Sequence, residues 1–175
     1  MKIKYIIILT ILTFSQSICI GQTSKFQQLD FMLGDWNGRG SGFGNDSLTI
    51  NSFFKPDMIG KYIEFKNESW FEPTSNNPEG EHHIDRGFIS YDKARDAVVI
   101  RQFHTEGYVI QYTLADSLSN DTMLVFESES IENFVPGGKA RWTIKKISDN
   151  QIETTFDVAF PNSDYSCMGV NKLSK

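Results

Sequence analysis

Leu29-Asp30-Phe31-Met32-Leu33-Gly34-Asp35-Trp36-Asn37-Gly38-Arg39-Gly40-Ser41-Gly42 is the stretch that decides the fold. An apolar helical turn runs into a Gly-Asp-Trp corner, and the corner into a strand with glycine at 38, 40, 42 and 44. Strand side chains alternate between faces, so these glycines share one face and leave it bare. A bare face admits a close neighbour or lets the strand bend at a barrel corner. Upstream, Ser24 is placed as N-cap of a helix over residues 25–33, with Phe26, Leu29, Met32 and Leu33 on one side and Gly34 ending it. The stretch predicts the plug and first wall of a small closed barrel.

Short runs punctuated by turn residues follow. They cover 47–54, 60–71, 81–91, 97–104, 107–114, 122–128, 139–147, 152–160 and 165–173. Lys55-Pro56-Asp57 is read as a turn, Glu72 to Gly80 as the longest loop, and Asp92-Lys93-Ala94-Arg95-Asp96 as a hairpin turn. About ten strands joined mainly by short hairpins predict an all-β, antiparallel up-and-down β-barrel with a short N-terminal helix. Closure removes exposed strand edges, which places a two-sheet sandwich second.

The chain has 175 residues, 13% of them aromatic, which suits one domain with a substantial core. Met1-Lys2-Ile3-Lys4, the apolar run from Tyr5 to Phe14 and Cys19-Ile20-Gly21 read as a secretory signal peptide cleaved near Gly21. The expected organisation is a signal peptide over 1–21 and a single barrel domain over 22–175, secreted or periplasmic. A lipoprotein anchored on Cys19 is not expected, because Ile18 precedes that cysteine where acylation sites carry a small residue. Loss of Lys2 and Lys4 takes the net charge from −5 to about −7, which disfavours nucleic acid and anionic membrane as partners. Cys167 is then the remaining cysteine, so the barrel is held by its core without a disulfide.

No nucleophile elbow, phosphate loop, zinc-protease helix or paired Cys-x-x-Cys is present. His82 and His83 adjoin on a strand and point to opposite sides, so one at most faces inward. His83 shares its face with Asp85, which makes a carboxylate-oriented imidazole available. His104-Thr105-Glu106-Gly107 is a polar strand-to-strand turn. Two inward histidines with a carboxylate have the donor types of a metal site, although the spacing specifies none. Cys167 shares a face of the last strand with Tyr165 and reads first as a small core residue.

Three anchors carry a family resemblance: the opening stretch through Trp36, then His83-Ile84-Asp85-Arg86-Gly87-Phe88, then His104-Thr105-Glu106-Gly107. In this order and spacing the chain resembles the nitrobindin-like haem-binding β-barrels. These have a calycin-type, lipocalin-like fold that also forms the C-terminal domain of a THAP zinc-finger protein and occurs in exported bacterial proteins. The resemblance implies a compact barrel with a pocket at one end. In its haem-binding members a histidine on the last strand ligates the iron, and ferric haem handles nitric oxide or peroxynitrite. Here that stretch reads Asp164-Tyr165-Ser166-Cys167-Met168-Gly169-Val170, with Cys167 nearest the ligand position, and Ile84 replaces the arginine after the mid-chain histidine. Without a proximal histidine the strongest bond to iron is lost.

The leading expectation is therefore a monomeric, exported, non-enzymatic barrel that binds a small, largely apolar molecule and needs no cofactor. Its expected binding residues are Trp36, Phe65, His83, Asp85, Phe103, Tyr108, Tyr112 and Trp142, with Phe88 and Phe156 also inside. Second comes a haem protein with Cys167 as substitute ligand and His83 on the distal side. Third is a hydrolase or isomerase using His83 and Asp85.

Overall fold

The computed structural model describes residues 26–42, 44–75 and 77–175. The signal peptide, Ser24 and Phe43 lie outside the described residues. A 3₁₀ helix, Gln27–Met32, precedes β1 (Gly34–Gly42), β2 (Asn45–Asp57), β3 (Tyr62–Phe71), β4 (Glu81–Asp92) and β5 (Ala97–His104). Then come β6 (Val109–Leu114), β7 (Met123–Glu132), β8 (Lys139–Ser148), β9 (Gln151–Ala159) and β10 (Ser166–Ser174). Each strand pairs antiparallel with its sequence neighbours, and β1 pairs with β10, Asn37 opposite Ser174, to close the barrel. No helix among the described residues is long and apolar enough to cross a membrane.

Two local readings are corrected. The helix is 3₁₀, with no side-chain cap at its N-terminus. Lys55-Pro56-Asp57 continues β2 and does not turn: Pro56 lies opposite Ile63, and the turn follows at Met58 and Ile59, both at positive φ.

Because strands alternate in direction, the barrel has two distinct ends. The helix closes one of them. Leu29 and Met32 are fully buried, and the indole Nε1–H of Trp36, itself buried, donates to Met32 O at 2.7 Å. Burying each such side chain stabilises by roughly 2 kcal/mol, so the plug is held by core contacts and not by helix propensity. The other end carries the β1–β2, β3–β4, β5–β6, β7–β8 and β9–β10 turns and forms the mouth.

The bare face of Gly38, Gly40 and Gly42 points inward at the closing seam, whereas Gly44 lies outside the strand, in the β1–β2 turn at a φ of 79°. A Cβ at Gly40 would lie 2.0 Å from Oδ1 of Asn171, whose Nδ2 donates to Thr154 Oγ1 at 3.2 Å. Glycine here lets the Asn171 side chain fold over β1. The middle of the barrel is filled by rings. Phe54, Phe65 and Phe126 surround Trp142 with centroids 6.1, 5.3 and 6.3 Å away, and all four are buried. Such stacked and tilted pairs add to area burial and fill the middle of the barrel.

Candidate functional site at the barrel mouth

The β4–β5 hairpin builds the site. Its turn places Asp92 opposite Ala97, and that register carries Asp85 opposite His104. Side chains alternate along both strands, so Ile89, Gly87, Asp85 and His83 face inward on β4, as Ile100, Gln102 and His104 do on β5. His104 Nδ1 lies 2.8 Å from Asp85 Oδ1, with the side chains 12% and 28% exposed, so solvent reaches this pair from within the mouth.

Glu106 arrives from the β5–β6 turn. Thr105 pins that turn to β4: its hydroxyl donates to Ile84 O at 2.8 Å and accepts from Ile84 N–H at 2.7 Å. Gly107 takes the positive φ of 89° that the reversal requires, and its carbonyl accepts from Asn133 Nδ2 at 2.8 Å. The carboxylate of Glu106 thereby reaches His83 Nδ1, while His83 Nε2 lies 2.6 Å from Glu81 Oε2. A carboxylate on each ring nitrogen favours the imidazolium form of His83. Burial pulls the His83 pKa down, but the bonds to Glu81 and Glu106 outweigh it and leave it above the ordinary histidine value.

Below this cluster, Tyr112 of β6 is fully buried and its hydroxyl has no partner. Burial, with the nearby charge of Asp85, drives its pKa well above that of a free phenol. Gln102 Oε1 and His104 Nε2 are likewise buried without a partner. An unpaired buried polar atom costs about 1–3 kcal/mol, so three on neighbouring inward positions call for an explanation. Half-buried Phe71, Ile131, Phe156 and Val158 line the mouth above them. On the outer side of the rim a cleft of about 520 Å³ lies between the β7–β8 and β9–β10 turns, lined by Lys139, Ala159, Phe160 and Tyr165.

The structure turns His83, Asp85 and Tyr112 to the inner face, and places Trp36, Phe65 and Trp142 in the packed body of the barrel. Of the adjacent histidines, His83 takes the inner side, while His82 stacks on exposed Trp70 at 5.1 Å outside. Tyr108 sits at the mouth, edge-on to Phe134 at 5.7 Å. Phe103 is 51% exposed on the outer face, which corrects its expected place in the interior. Gln102 and His104 hold the inward positions on either side of it. Phe88 is corrected for the same reason: it faces out against Tyr62 at 6.4 Å, while its neighbour Gly87 makes room inside for Phe65.

Cys167 is exposed and opposite Asp157, on the outer side of the β9–β10 pair. It does share a side with Tyr165, whose ring covers the outward Arg141 guanidinium at 4.1 Å, but that side is the outer one. A haem inside the barrel would be beyond the Cys167 thiol, and the centre of the lumen is occupied by Trp142 and its neighbours. These residues do not fit haem bound through Cys167.

Sequence reasoning left His104 and Glu106 as an ordinary turn. The signal that finds them is the hairpin at Asp92–Ala97, whose register sets His104 against Asp85 and carries Glu106 to His83.

No protein-family model matches the chain, and no curated protein does. Among solved structures it is similar to the crystal structure of Rv2717c from M. tuberculosis, at 14% identity over 86% of this chain and 96% of that one, with a TM-score of 0.56. The likeness is one of fold. A redesigned β-barrel aligns over 83% of this chain and 92% of its own at 11% identity, with a TM-score of 0.40.

Proposed function

We propose that this protein is an exported, non-enzymatic carrier of the nitrobindin-like, calycin type. It takes a small, largely apolar molecule through the mouth and reads its one polar group at the bottom. The observation that carries this reading is the trio of buried, unpartnered atoms, His104 Nε2, Gln102 Oε1 and Tyr112 Oη, beneath half-buried Phe71, Ile131 and Phe156. Apolar walls supply affinity, and a few convergent polar groups supply orientation. A hydroxyl or carbonyl on the ligand would relieve groups that otherwise hold a desolvation cost. The ligand is small, because the ring cluster around Trp142 limits the depth of the site.

The test is a native mass spectrum of the protein purified from the periplasm of a secreting host. The expected result is a one-to-one adduct of small-molecule mass, lost or strongly reduced in Tyr112→Phe while the melting temperature changes little. A spectrum of the bare chain alone, or an adduct equally abundant in Tyr112→Phe, would overturn the reading.

A further inference from the structure

The geometry points to a divalent metal-ion site at the mouth, formed by Asp85 of β4, His104 of β5 and Glu106 of the β5–β6 turn. One donor atom from each lies within 4.8 Å of the others. Nitrogen and oxygen ligands bind zinc-like ions at about 2.0–2.2 Å, which holds donors roughly 3.3–4.4 Å apart. The 4.8 Å envelope of the three donors is close to that spacing.

The pairing pattern at the mouth differs from that of the outer wall. There acidic groups meet Arg or Lys, as Glu64 meets Arg86, Glu127 meets Arg141 and Glu129 meets Arg95, while at the mouth Glu81 meets His83. Among the described residues, Asp85 and Glu106 form ion pairs with histidines only. Histidine can exchange a carboxylate hydrogen bond for a metal bond, which Lys and Arg do not. Two carboxylates and a neutral imidazole match the charge of a divalent cation.

Two orphaned polar atoms on the inner face accompany the cluster. The Nε2 of His104 is buried without a partner, and so is the hydroxyl of wholly buried Tyr112. Neither has its hydrogen-bonding capacity used within the protein, so each is open to an ion or an ion-bound water. One imidazole with two carboxylates suits Zn²⁺, Co²⁺, Mn²⁺ or Fe²⁺, and three protein ligands leave a position open to the mouth. The site goes beyond the carrier reading, since an ion can bind whether or not an organic molecule does.

The test titrates ZnCl₂ into chelator-stripped, full-length protein carrying Cys167→Ser, with the exposed thiol removed as a competing ligand. Calorimetry is expected to give one ion per chain and thermal melts a higher melting temperature. Co²⁺ in place of Zn²⁺ is expected to show visible absorption of a nitrogen–oxygen site. Asp85→Asn and Glu106→Gln should each weaken Zn²⁺ binding at least about tenfold, while His82→Gln on the outer face leaves it unchanged. Glu106 lies on an exposed turn, so Glu106→Gln decides the matter if Asp85→Asn fails to fold. No saturable binding at millimolar Zn²⁺, equal binding by Glu106→Gln, or loss of binding in His82→Gln would overturn the site. None of these outcomes bears on the organic adduct sought by native mass spectrometry.

Discussion

Replacing Trp36 by Phe tests what holds the plug in the barrel. The ring is 1% exposed and its N–H donates to the carbonyl of Met32 at 2.7 Å, so one residue joins the helix end to the first strand. Phenylalanine keeps most of the apolar surface but removes the donor, and losing a partner for a buried carbonyl costs about 1–3 kcal/mol. The smaller ring also leaves a void of roughly 40 Å³, worth about 1 kcal/mol at about 24 cal/mol per Å³. The total, about 2–4 kcal/mol, is a large share of the roughly 5–15 kcal/mol that stabilises an ordinary domain. At about 2–4 °C per kcal/mol for a chain of this size, the melting temperature should fall by roughly 5–15 °C. Calorimetry measures that fall. Hydrogen exchange then locates it, with the amides of Leu29 and Leu33, bonded to Phe26 O and Asp30 O, losing protection before those of β4 and β5. A fall under about 4 °C with unchanged protection at Leu29 and Leu33 would mean that Trp36 is apolar filling alone, and would refute the hydrogen-bonded latch.

Two further substitutions probe packing and charge. In Gly87→Ala the new Cβ would lie 2.1 Å from Arg101 O and 2.8 Å from the Phe65 ring, so urea unfolding should show a loss of about 1–3 kcal/mol, toward the upper end because backbone must move. Glu129 accepts from Arg95 Nη1 and Gln111 Nε2, each at 2.7 Å. Thr113 and Gln111 chiefly hold its carboxyl below the usual carboxylate range, burial opposes them, and Arg95 adds to the lowering. A folded-state pKa below the unfolded one adds stability above the unfolded value and loses it as pH falls through the folded value. Glu129→Gln should therefore cost up to about 1 kcal/mol at pH 7 by urea titration, and progressively less on acidification below about pH 4.5. A cost that persists at pH 3 would contradict the sign.

The strand set and the turns between them were legible in the sequence because both are local. Alternation over residues 97–104 and turn chemistry over 92–96 reproduce β5 and the hairpin before it. The plug and the glycine strand were legible too, since an apolar turn, Trp36 and glycines at every second position leave few other arrangements. Pro56 was misread because a proline in a strand signals an ending unless its missing N–H falls where the ladder needs none.

Alternation by itself sorts residues into two sets without saying which set is inside. Apolarity suggested Phe88 and Phe103, yet Gly87 and Gln102 occupy those inward positions. An aromatic ring can rest on the outer face, whereas Phe65 needs the space only a glycine leaves. The site depends on the same decision. Asp85, His104 and Glu106 come from two strands and a turn, and only the pairing of β4 with β5 brings them together at the mouth, with Tyr112 of β6 buried on the inner face. The sequence by itself determined a closed antiparallel container with one plugged end. Tertiary packing decided that its middle is filled around Trp142, that Cys167 faces solvent, and that the chemistry gathers at the mouth on β4–β6. Register follows from nearby residues, but burial depends on every strand across the barrel.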